Sequence, residues 1–417
     1  MLRLAIIADD LTGALDTGIK FSKMGIGCQI ITGDGFFVDD IDHSKEILVI
    51  DTETRHVHEQ EAYSKVYSTA KLCVDLGIKY FYKKTDSALR GHIGSELAAL
   101  YDVTGEPVAF VPALPRENRC TREGIHYING TPVAQSNFGS DPLNPVRQSS
   151  VSMLIHEESA LSVANVYEKD RGTWPDSQVA VFDASTRSDL EEIADRLVEN
   201  GHIRITAGCA GFAEVLAEKI PFLKGRECPA VQSRKLFVVC GSINDVTKKQ
   251  VLYAGQKGFR RICLTQGQKL DPDYLQSDAG KHFKEELKDL CGQNDYILID
   301  GFTENTVEDT LAYAREKGIS TEDIPEIIAG RLGEISAYLL TLEEDFALMV
   351  IGGDTLYSFI SQLDKPLLDP LCEPVNGTVL MQVQTKNQYF PLVSKSGGFG
   401  QENLIIEIAN YLKHHTN

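Results

Sequence analysis

Short apolar runs alternate with helix-like patterns along almost the whole chain, and this alternation restricts the fold more than any other feature. The runs predict strands at Leu4–Ala8, Gln29–Ile31, Ile47–Ile50, Ile78–Tyr82, Val108–Val111, Val179–Phe182, Ile203–Ala207, Leu236–Val239, Arg261–Leu264, Tyr296–Ile299 and Leu348–Ile351. Periodic apolar positions predict helices beside many of them, for example over 189–198 and 326–340. Strands that alternate with helices indicate βαβ units, so we expect an α/β fold with mainly parallel sheets covered on both faces.

The chain is long enough for more than one domain. At 417 residues it exceeds what a single hydrophobic core usually supports. The segment 221–235 carries Pro, Gly and charge without clear periodicity, so we predict two α/β domains, at residues 1–225 and 235–417. Residues 370–394 have the pattern of short strands and turns, which predicts a small β-ribbon attached to the second sheet. Residues 112–150, rich in Pro, Asn, Gly and Ser, predict a long irregular segment of the kind that is often functional.

Composition excludes several classes of protein. Apolar residues make up 42% and charged residues 24%, as in an ordinary globular protein. A net charge of −19 argues against nucleic acid as a partner, because its binding needs basic surface. No apolar run reaches membrane-spanning length and the N-terminus lacks the pattern of a signal peptide, so we expect no membrane partner and a cytoplasmic protein. Nine scattered cysteines without a CxxC pair indicate reduced thiols rather than disulfides or structural zinc.

Polar residues gather where three predicted strands of the first half end. Asp9 and Asp10 follow the first strand, and the run 51–55 closes another with Arg55. The third strand end carries Lys84, Thr85, Asp86, Ser87, Arg90 and Gly91. Ligands of open α/β sheets bind beyond the carboxyl ends of strands, so these groups can converge on one crevice that suits a polyol or an acid sugar. The alternative for each run alone is a solvated turn that caps a helix.

Three glycine-rich turns follow predicted strands of the second half. They contain Gly241 and Ser242, then Gly352, Gly353, Asp354 and Thr355, and finally Gly397 and Gly398. Glycines expose backbone N–H groups that can cradle phosphates, and helix N-termini add a favourable dipole. None matches the P-loop or the dinucleotide pattern GxGxxG. One such turn is usually an ordinary βα loop, but three in one domain favour a nucleotide phosphate site without identifying the nucleotide as ATP.

Taken together, these motifs resemble the four-carbon acid sugar kinase family, whose members phosphorylate threonate, erythronate or oxo-tetronate with ATP. The resemblance rests on the segments 8–14, 83–91, 141–145, 241–242, 352–355 and 395–400, which follow the order of the family over nearly the whole chain. It implies an N-terminal domain that binds the acid sugar and a C-terminal domain that binds the nucleotide. It also implies an ATP-dependent kinase whose acceptor is a hydroxyl of a four-carbon acid sugar.

The resemblance also implies roles for individual residues. Asp10 and Asp86 would bind hydroxyls, and one of them, with Asp10 the first choice, would act as the base. Lys84 and Arg90 would engage the substrate carboxylate or the transferred phosphoryl group, with Arg55 as a second clamp. The other substrate-binding candidates are Asp9, Thr85, Ser87 and Gly91. The candidates for the ATP site are Ser242, Gly352, Gly353, Asp354, Thr355, Gly397 and Gly398, with Asp354 also the candidate Mg²⁺ ligand.

Two alternatives differ in class from a kinase. A non-catalytic sensor could hold an acid sugar in the same crevice, although it would not need three glycine turns. A nicotinamide-dependent oxidoreductase is disfavoured because the chain lacks GxGxxG. The sequence leaves open which acid sugar is used, which hydroxyl reacts, and whether the chain forms a homodimer.

Overall fold

The computed structural model describes residues 2–33, 41–141, 144–170, 174–225, 231–302, 306–386, 388–395 and 398–414. The chain divides into two compact units, residues 1–227 and 228–417. Within the described ranges, no helix combines the length and the apolar character needed to cross a lipid bilayer.

The first unit contains a parallel sheet of eight strands. These strands are β1 (Leu4–Ala8), β2 (Cys28–Thr32), β3 (Ile47–Asp51), β4 (Tyr80–Lys84), β5 (Val108–Val111), β9 (Val163–Val166), β10 (Val179–Phe182) and β11 (Ile205–Gly208), with β6 to β8 forming a separate small sheet. Their spatial order is β2-β3-β1-β4-β11-β5-β10-β9. β1 therefore lies between β3 and β4, at the point where the strand order changes direction.

Six α-helices connect these strands. They are α1 (Leu11–Ser22), α2 (Glu59–Asp75), α3 (Ile93–Thr104), α4 (Val151–Glu158), α5 (Arg187–Glu199) and α6 (Ala210–Lys219). Local chemistry fixes several ends: the Thr186 side chain and Asp189 form a capping box at the start of α5, and α3 ends at Gly105 in the left-handed region, with φ 63°.

The register of the sheet brings the predicted polar strand ends side by side. Ala8 of β1 pairs with Asp51 of β3 on one side and with Lys84 of β4 on the other. Lys84 in turn pairs with Gly208 at the end of β11. All four strands are parallel, so the loops that follow them leave the sheet at one edge. In folds of this kind that edge, at the change of strand order, is where ligands bind.

The segment 112–150 is more ordered than the sequence suggested. It contains an antiparallel sheet of β6 (Arg119–Arg122), β7 (Ile125–Ile128) and β8 (Thr131–Pro132). Two-residue turns join these strands, with φ 51° and 72° at Glu123 and Gly124 and φ 50° and 80° at Asn129 and Gly130. Both turns have the positive φ values that tight hairpins require, and the Asn-Gly pair is a strong hairpin signal in the sequence. The expectation of a wholly irregular segment was wrong.

The second unit contains a mixed sheet. Its strands are β12 (Lys235–Cys240), β13 (Arg260–Cys263), β14 (Tyr296–Asp300), β15 (Phe346–Ile351), β16 (Leu367–Cys372), β17 (Thr378–Gln384) and β18 (Tyr389–Lys395). The order is β13-β14-β12-β15-β18-β17-β16, parallel through β18 and antiparallel beyond it. The α/β class, the mainly parallel sheets and the antiparallel ribbon at 370–394 are thereby confirmed.

Seven α-helices accompany this sheet in the described residues. They are α7 (Asp245–Gln256), α8 (Gln266–Leu270), α9 (Asp278–Gln293), α10 (Thr306–Lys317), α11 (Ile324–Leu339), α12 (Gly353–Ile360) and α13 (Leu404–His414). A core of fully buried strand residues such as Val238 and Met349 packs against Val251 of α7 and Ile408 of α13. This core supports the strand ends where the glycine turns lie.

Candidate functional site

Arg55 joins two aspartates at the carboxyl end of β1. Its Nε donates to Asp9 Oδ2 at 2.8 Å, and its Nη1 and Nη2 donate to Asp10 Oδ2 and Oδ1 at 2.8 and 2.7 Å. Asp10 is also the N-cap of α1, since its Oδ1 accepts from the Gly13 N–H at 3.0 Å. A bidentate guanidinium and a helix N-terminus therefore hold the Asp10 carboxylate in one orientation.

Asp86, just beyond β4, forms a second ion pair. Arg90 Nε donates to Asp86 Oδ2 at 2.9 Å and Arg90 Nη2 donates to Oδ1 at 3.1 Å. Arg90 Nη1 also donates to Asp141 Oδ2 at 3.2 Å. Asp86 Oδ1 lies 4.0 Å from Arg55 Nη2, so the two ion pairs form one cluster of alternating charge. Five of the predicted residues thus lie together: Asp9, Asp10, Arg55, Asp86 and Arg90.

Three further predicted residues lie in the loop between β4 and α3. Ser87 Oγ accepts a hydrogen bond from Arg119 Nη1. Thr85 Oγ1 is buried and has no hydrogen-bond partner in the described part of the chain. Gly91 has φ 88°, and a Cβ at this position would lie 3.5 Å from Asp9 Oδ2. The loop therefore packs closely against the carboxylates of the cluster, and a left-handed residue without a side chain allows that approach.

The two consecutive lysines of β4 have different surroundings, because neighbouring strand residues point to opposite faces. Lys83 Nζ pairs with Glu96 Oε2 of α3 at 3.0 Å, and both side chains are fully buried. Lys84 Nζ donates to Thr85 O at 2.9 Å and lies 2.8 Å from where a Cβ on Gly13 would stand. Lys84 is therefore on the side of the Asp10 loop, whereas Lys83 ties β4 to α3.

Charge around the cluster keeps two of its carboxyl groups ionised. Burial alone would raise the pKa of Asp9, but Arg55 and the two lysines of β4 lower it below its usual value. Burial opposes ionisation of Asp86 too, and Arg55 and Arg90 hold its pKa well below the usual range. Ionised carboxylates only accept hydrogen bonds, so these oxygens suit the hydroxyl groups of a polyol.

A second pair of carboxyl groups lies behind the Asp10 loop. Asp51, the fully buried last residue of β3, accepts from the Glu53 N–H through Oδ1 at 3.1 Å. Glu53 Oε1 accepts from the Leu11 N–H at 3.0 Å, and Glu53 has the unusual φ of 45°. Burial raises the pKa of Glu53 to about 7 and raises the pKa of Asp51 well above its usual value. Sequence analysis did not single out these two as site residues, although both lie in the run 51–55.

The small sheet of residues 119–132 and the turn after it add groups that the sequence did not identify. The guanidinium carbons of Arg90 and Arg119 lie 5.2 and 5.3 Å from the ring centroid of Phe138, within cation–π range. His126 Nε2 lies 3.0 Å from Ser87 O. The available signal was the composition of the segment, which indicated function but no particular residue.

In the second unit, two glycine turns contact each other beyond β12 and β15. A Cβ on Gly241 would lie 2.0 Å from Thr355 Oγ1, so a side chain there would collide with the start of α12. Gly352 has φ 114°, and a Cβ on it would lie 3.3 Å from Ser242 N. Both turns therefore present backbone, without side chains, to the space beyond the strand ends.

These turns form one side of a cavity of about 840 Å³, within the range of small-molecule sites. Predicted residues that line it are Ser242, Gly352, Gly353, Asp354 and Thr355. The other side is mostly apolar and consists of Leu264, Phe302, Val307, Leu311, Ile324, Pro325, Ile328, Ala329 and Leu332. Sequence analysis missed this apolar side, whose residues are scattered over α10, α11 and the loops after β13 and β14.

The remaining predicted residues of the second unit differ in what can be said of them. Gly398 is exposed, and a Cβ on it would lie 3.9 Å from the side chain of Asn244, which lines the cavity. Gly397 lies outside the described residues. Asp354 is exposed at the start of α12. No group of three His, Cys, Asp or Glu side chains suited to a metal occurs in the described ranges. A lone carboxylate is still compatible with Mg²⁺, which takes most of its ligands from water and phosphate.

Known structures share this fold. A Haemophilus influenzae protein aligns over 98% of this chain and 100% of its own, with a TM-score of 0.76 and 19% identity. A Salmonella typhimurium LT2 protein aligns over 98% of this chain and 99% of its own, with a TM-score of 0.81 and 21% identity.

Characterised relatives cover the chain from end to end. A D-threonate kinase of Salmonella typhimurium is 25% identical over 99% of both chains. A D-threonate kinase of Bordetella bronchiseptica is 26% identical over 98% of this chain and 97% of its own. A D-erythronate kinase of Heliobacterium modesticaldum is 27% identical over 99% of this chain and 97% of its own.

Family sequence models match each half of the chain separately. Residues 4–216 match the sugar-binding N-terminal domain, and residues 237–405 match the nucleotide-binding C-terminal domain. The first match contains the Asp10–Arg55–Asp86 cluster and the second contains the glycine-lined cavity. The chain belongs to the family of proteins that combine this sugar-binding N-terminal domain with this nucleotide-binding C-terminal domain.

Proposed function

We propose that this protein is an ATP-dependent kinase that phosphorylates a hydroxyl group of a four-carbon acid sugar. In this proposal residues 1–225 bind the acid sugar and residues 235–417 bind ATP. The kinases named above, which act on threonate and erythronate, support this substrate class. A 3-oxo-tetronate kinase of Escherichia coli, 27% identical over 61% of this chain, extends the class to an oxo acid.

The observation that carries the proposal is the arrangement of charges at the ends of β1, β3 and β4. Oriented carboxylates there are acceptors for several hydroxyl groups, and cations stand beside them within hydrogen-bonding distance. A small acid with adjacent hydroxyls needs both kinds of partner. A neutral sugar would not require the cations, and a simple carboxylic acid would not require so many acceptors.

We assign the substrate carboxylate to Lys84 and Arg90, the cations beside the hydroxyl acceptors. Three N–H groups of Arg55 are engaged by Asp9 and Asp10. Its first role in this proposal is therefore to orient these aspartates, and contact with the substrate is secondary. Thr85 Oγ1, buried and without a protein partner in the described residues, is available to the substrate.

Asp10 is proposed as the base. As the bond between the substrate oxygen and the γ-phosphorus forms, the hydroxyl proton passes to an Asp10 carboxylate oxygen and ADP leaves. Most of the acceleration in phosphoryl transfer comes from positioning and charge neutralisation, and the general base adds a smaller factor. Asp86 would bind the neighbouring hydroxyl and stay ionised because Arg55 and Arg90 stabilise its charge.

The cavity of the second unit fits a nucleotide in size and in the nature of its two sides. Bare backbone at Gly241, Ser242, Gly352 and Gly353 would receive the phosphates, and the apolar side would receive the base. Mg²⁺, when bound, would neutralise phosphate charge, and Asp354 is the residue proposed to hold it.

Release of ADP by the purified protein, with ATP, Mg²⁺ and a panel of D-threonate, D-erythronate and 3-oxo-tetronate, tests the proposal. We expect acid-dependent ADP release with at least one of the panel. No release above background with any of them, together with calorimetric binding of an acid but not of ATP, would support a non-catalytic binding protein instead.

A further inference from the structure

We propose that Lys269 is a nucleoside-binding residue, whose ammonium group donates a hydrogen bond to a ribose oxygen or a base ring nitrogen of the bound nucleotide. This inference rests on the proposed nucleotide-binding function of the second unit. It adds a charged residue on the mostly apolar side of the cavity, away from the glycine turns.

Lys269 is a buried cation in the cavity wall. Its residue surface is only 2% exposed, yet it lines the cavity. Its Nζ donates to Gly301 O at 3.2 Å and to Thr310 Oγ1 at 3.3 Å, and both acceptors are neutral. Lysine has three N–H donors, so in the described part of the chain one of them is left for a ligand.

No carboxylate of the described residues forms an ion pair with Lys269, although Asp300 and Asp309 act on it from a longer range. Burial lowers its pKa for the same reason. A buried ammonium group with incomplete hydrogen bonding is costly in free energy. A ligand acceptor in the cavity would remove part of that cost.

The stem of this lysine is held in place by backbone. A Cβ on Gly301 would lie 2.7 Å from Lys269 Cδ, so the side chain passes directly over the turn after β14. Its own helix, α8, is fixed at its start by a capping box between Thr265 and Gln268. The ammonium position is therefore defined before any ligand binds, which favours a binding role.

Strand order separates Lys269 from the glycine turns. Lys269 follows β13 and contacts the residue after β14, whereas Gly241 and Gly352 follow β12 and β15. Neighbouring strands lie about 4.8 Å apart, so the ends of β14 and β15, two strands apart, are roughly 10 Å from each other. A nucleotide whose phosphates lie at the glycine turns would place its nucleoside near Lys269. The neighbouring apolar residues Phe302, Leu311 and Ile328 suit a base rather than a phosphate.

Calorimetric titration of the full chain with adenosine, AMP and ADP tests this inference, comparing wild type with Lys269→Met. Met keeps the length of the stem and removes the charge. We expect K269M to weaken binding of all three ligands by a similar factor, about 10- to 100-fold for one hydrogen bond to a charged group. The matched control is Lys281→Met, because Lys281 is an exposed lysine of α9 whose printed partner is Asp278. It should bind like wild type.

The outcomes distinguish this inference from the function on which it rests. Wild-type protein that binds none of the three ligands would overturn both. Wild-type binding that is unchanged in K269M would overturn the role of Lys269 alone, as would a loss confined to ADP, which would indicate a phosphate contact. If K269M does not fold, as judged by its thermal unfolding, Lys269→Gln repeats the measurement with a neutral polar side chain and the same expected loss.

Discussion

At the scale of single residues, the site depends on how carboxyl groups of similar chemistry are given different protonation states. Cations lower the pKa of Asp9 and Asp86, and burial without a cation of their own raises the pKa of Asp51 and Glu53. All four lie at the ends of adjacent strands. Their surroundings, and not their residue type, therefore decide which can accept a proton and which can donate a hydrogen bond.

Asp10→Asn tests the proposed base. Asparagine keeps the helix cap and one acceptor for Arg55, so folding should be little affected. We expect kcat to fall by at least about 100-fold, the usual contribution of general base catalysis, while the Kd for ATP changes little. Steady-state kinetics and calorimetry measure the two quantities. Asp16→Asn is the control, because Asp16 lies on the same helix, half exposed and paired with Lys20. Equal losses of kcat and ATP affinity in D10N would refute the role of Asp10.

Glu53→Gln tests the raised pKa behind the Asp10 loop. A carboxyl group with a pKa of about 7 in the folded protein and about 4.5 when unfolded binds more protons in the folded state. Its contribution to stability is present below pH 4.5 and is lost as the pH rises to about 7. Glutamine imitates the protonated form, so E53Q should gain roughly 1–3 kcal/mol in free energy of unfolding relative to wild type over this interval.

Urea unfolding of both proteins at a series of pH values measures this difference. Glu61→Gln, at an exposed glutamate of α2 paired with Lys65, serves as the control and should follow the wild-type curve. Parallel curves for E53Q and wild type between pH 4.5 and 7 would show that Glu53 has an ordinary pKa.

At the scale of elements, the start of α1 is where helix geometry and the site constrain each other. A Cβ on Gly13 would lie 2.5 Å from Asp10 Oδ1 and 2.8 Å from Lys84 Nζ. In contrast, a Cβ on Gly330 of α11 would meet no atom within 4 Å. Both glycines are helical, so alanine should favour the helix equally at the two positions, and the contacts alone separate their effects.

Gly13→Ala and Gly330→Ala therefore form a matched pair. We expect G13A to weaken acid-sugar binding by about tenfold or more, because Lys84 and Asp10 must move, with each lost contact being a hydrogen bond to a charged group. G330A should leave binding unchanged and stabilise the protein by about 0.5–1 kcal/mol. Calorimetry and thermal unfolding measure both effects. Wild-type affinity in G13A would contradict the close approach of Lys84 to the Asp10 loop.

Sequence patterns predicted the elements well where one local rule decides the structure. The parallel strands are continuous apolar runs, and the polar strand ends are visible because they interrupt those runs. The hairpin at Asn129 and Gly130 was also readable from its turn residues and was overlooked. In contrast, Arg119, Phe138 and Lys269 reach their positions through tertiary packing of distant segments, and no local pattern distinguishes them from ordinary surface residues.

At the scale of the whole molecule, each compact unit contains the groups for one half of a phosphoryl transfer. The first has oriented carboxylates and cations at the change of strand order, and the second has a cavity between glycine turns and apolar helices. The family match covers both units in the same order. The central claim is that the two sites act together in moving a phosphoryl group from ATP to a hydroxyl of an acid sugar.

Phosphorus NMR of the reaction mixture tests that claim most directly. The full-length protein is incubated with ATP, Mg²⁺ and each four-carbon acid, and the spectrum shows where the γ-phosphorus of ATP goes. Our account predicts a new phosphomonoester signal that is coupled to the protons of the sugar carbon, grows in step with ADP, and is lost in D10N. A spectrum in which ATP stays intact with every acid, or yields only inorganic phosphate, would contradict it.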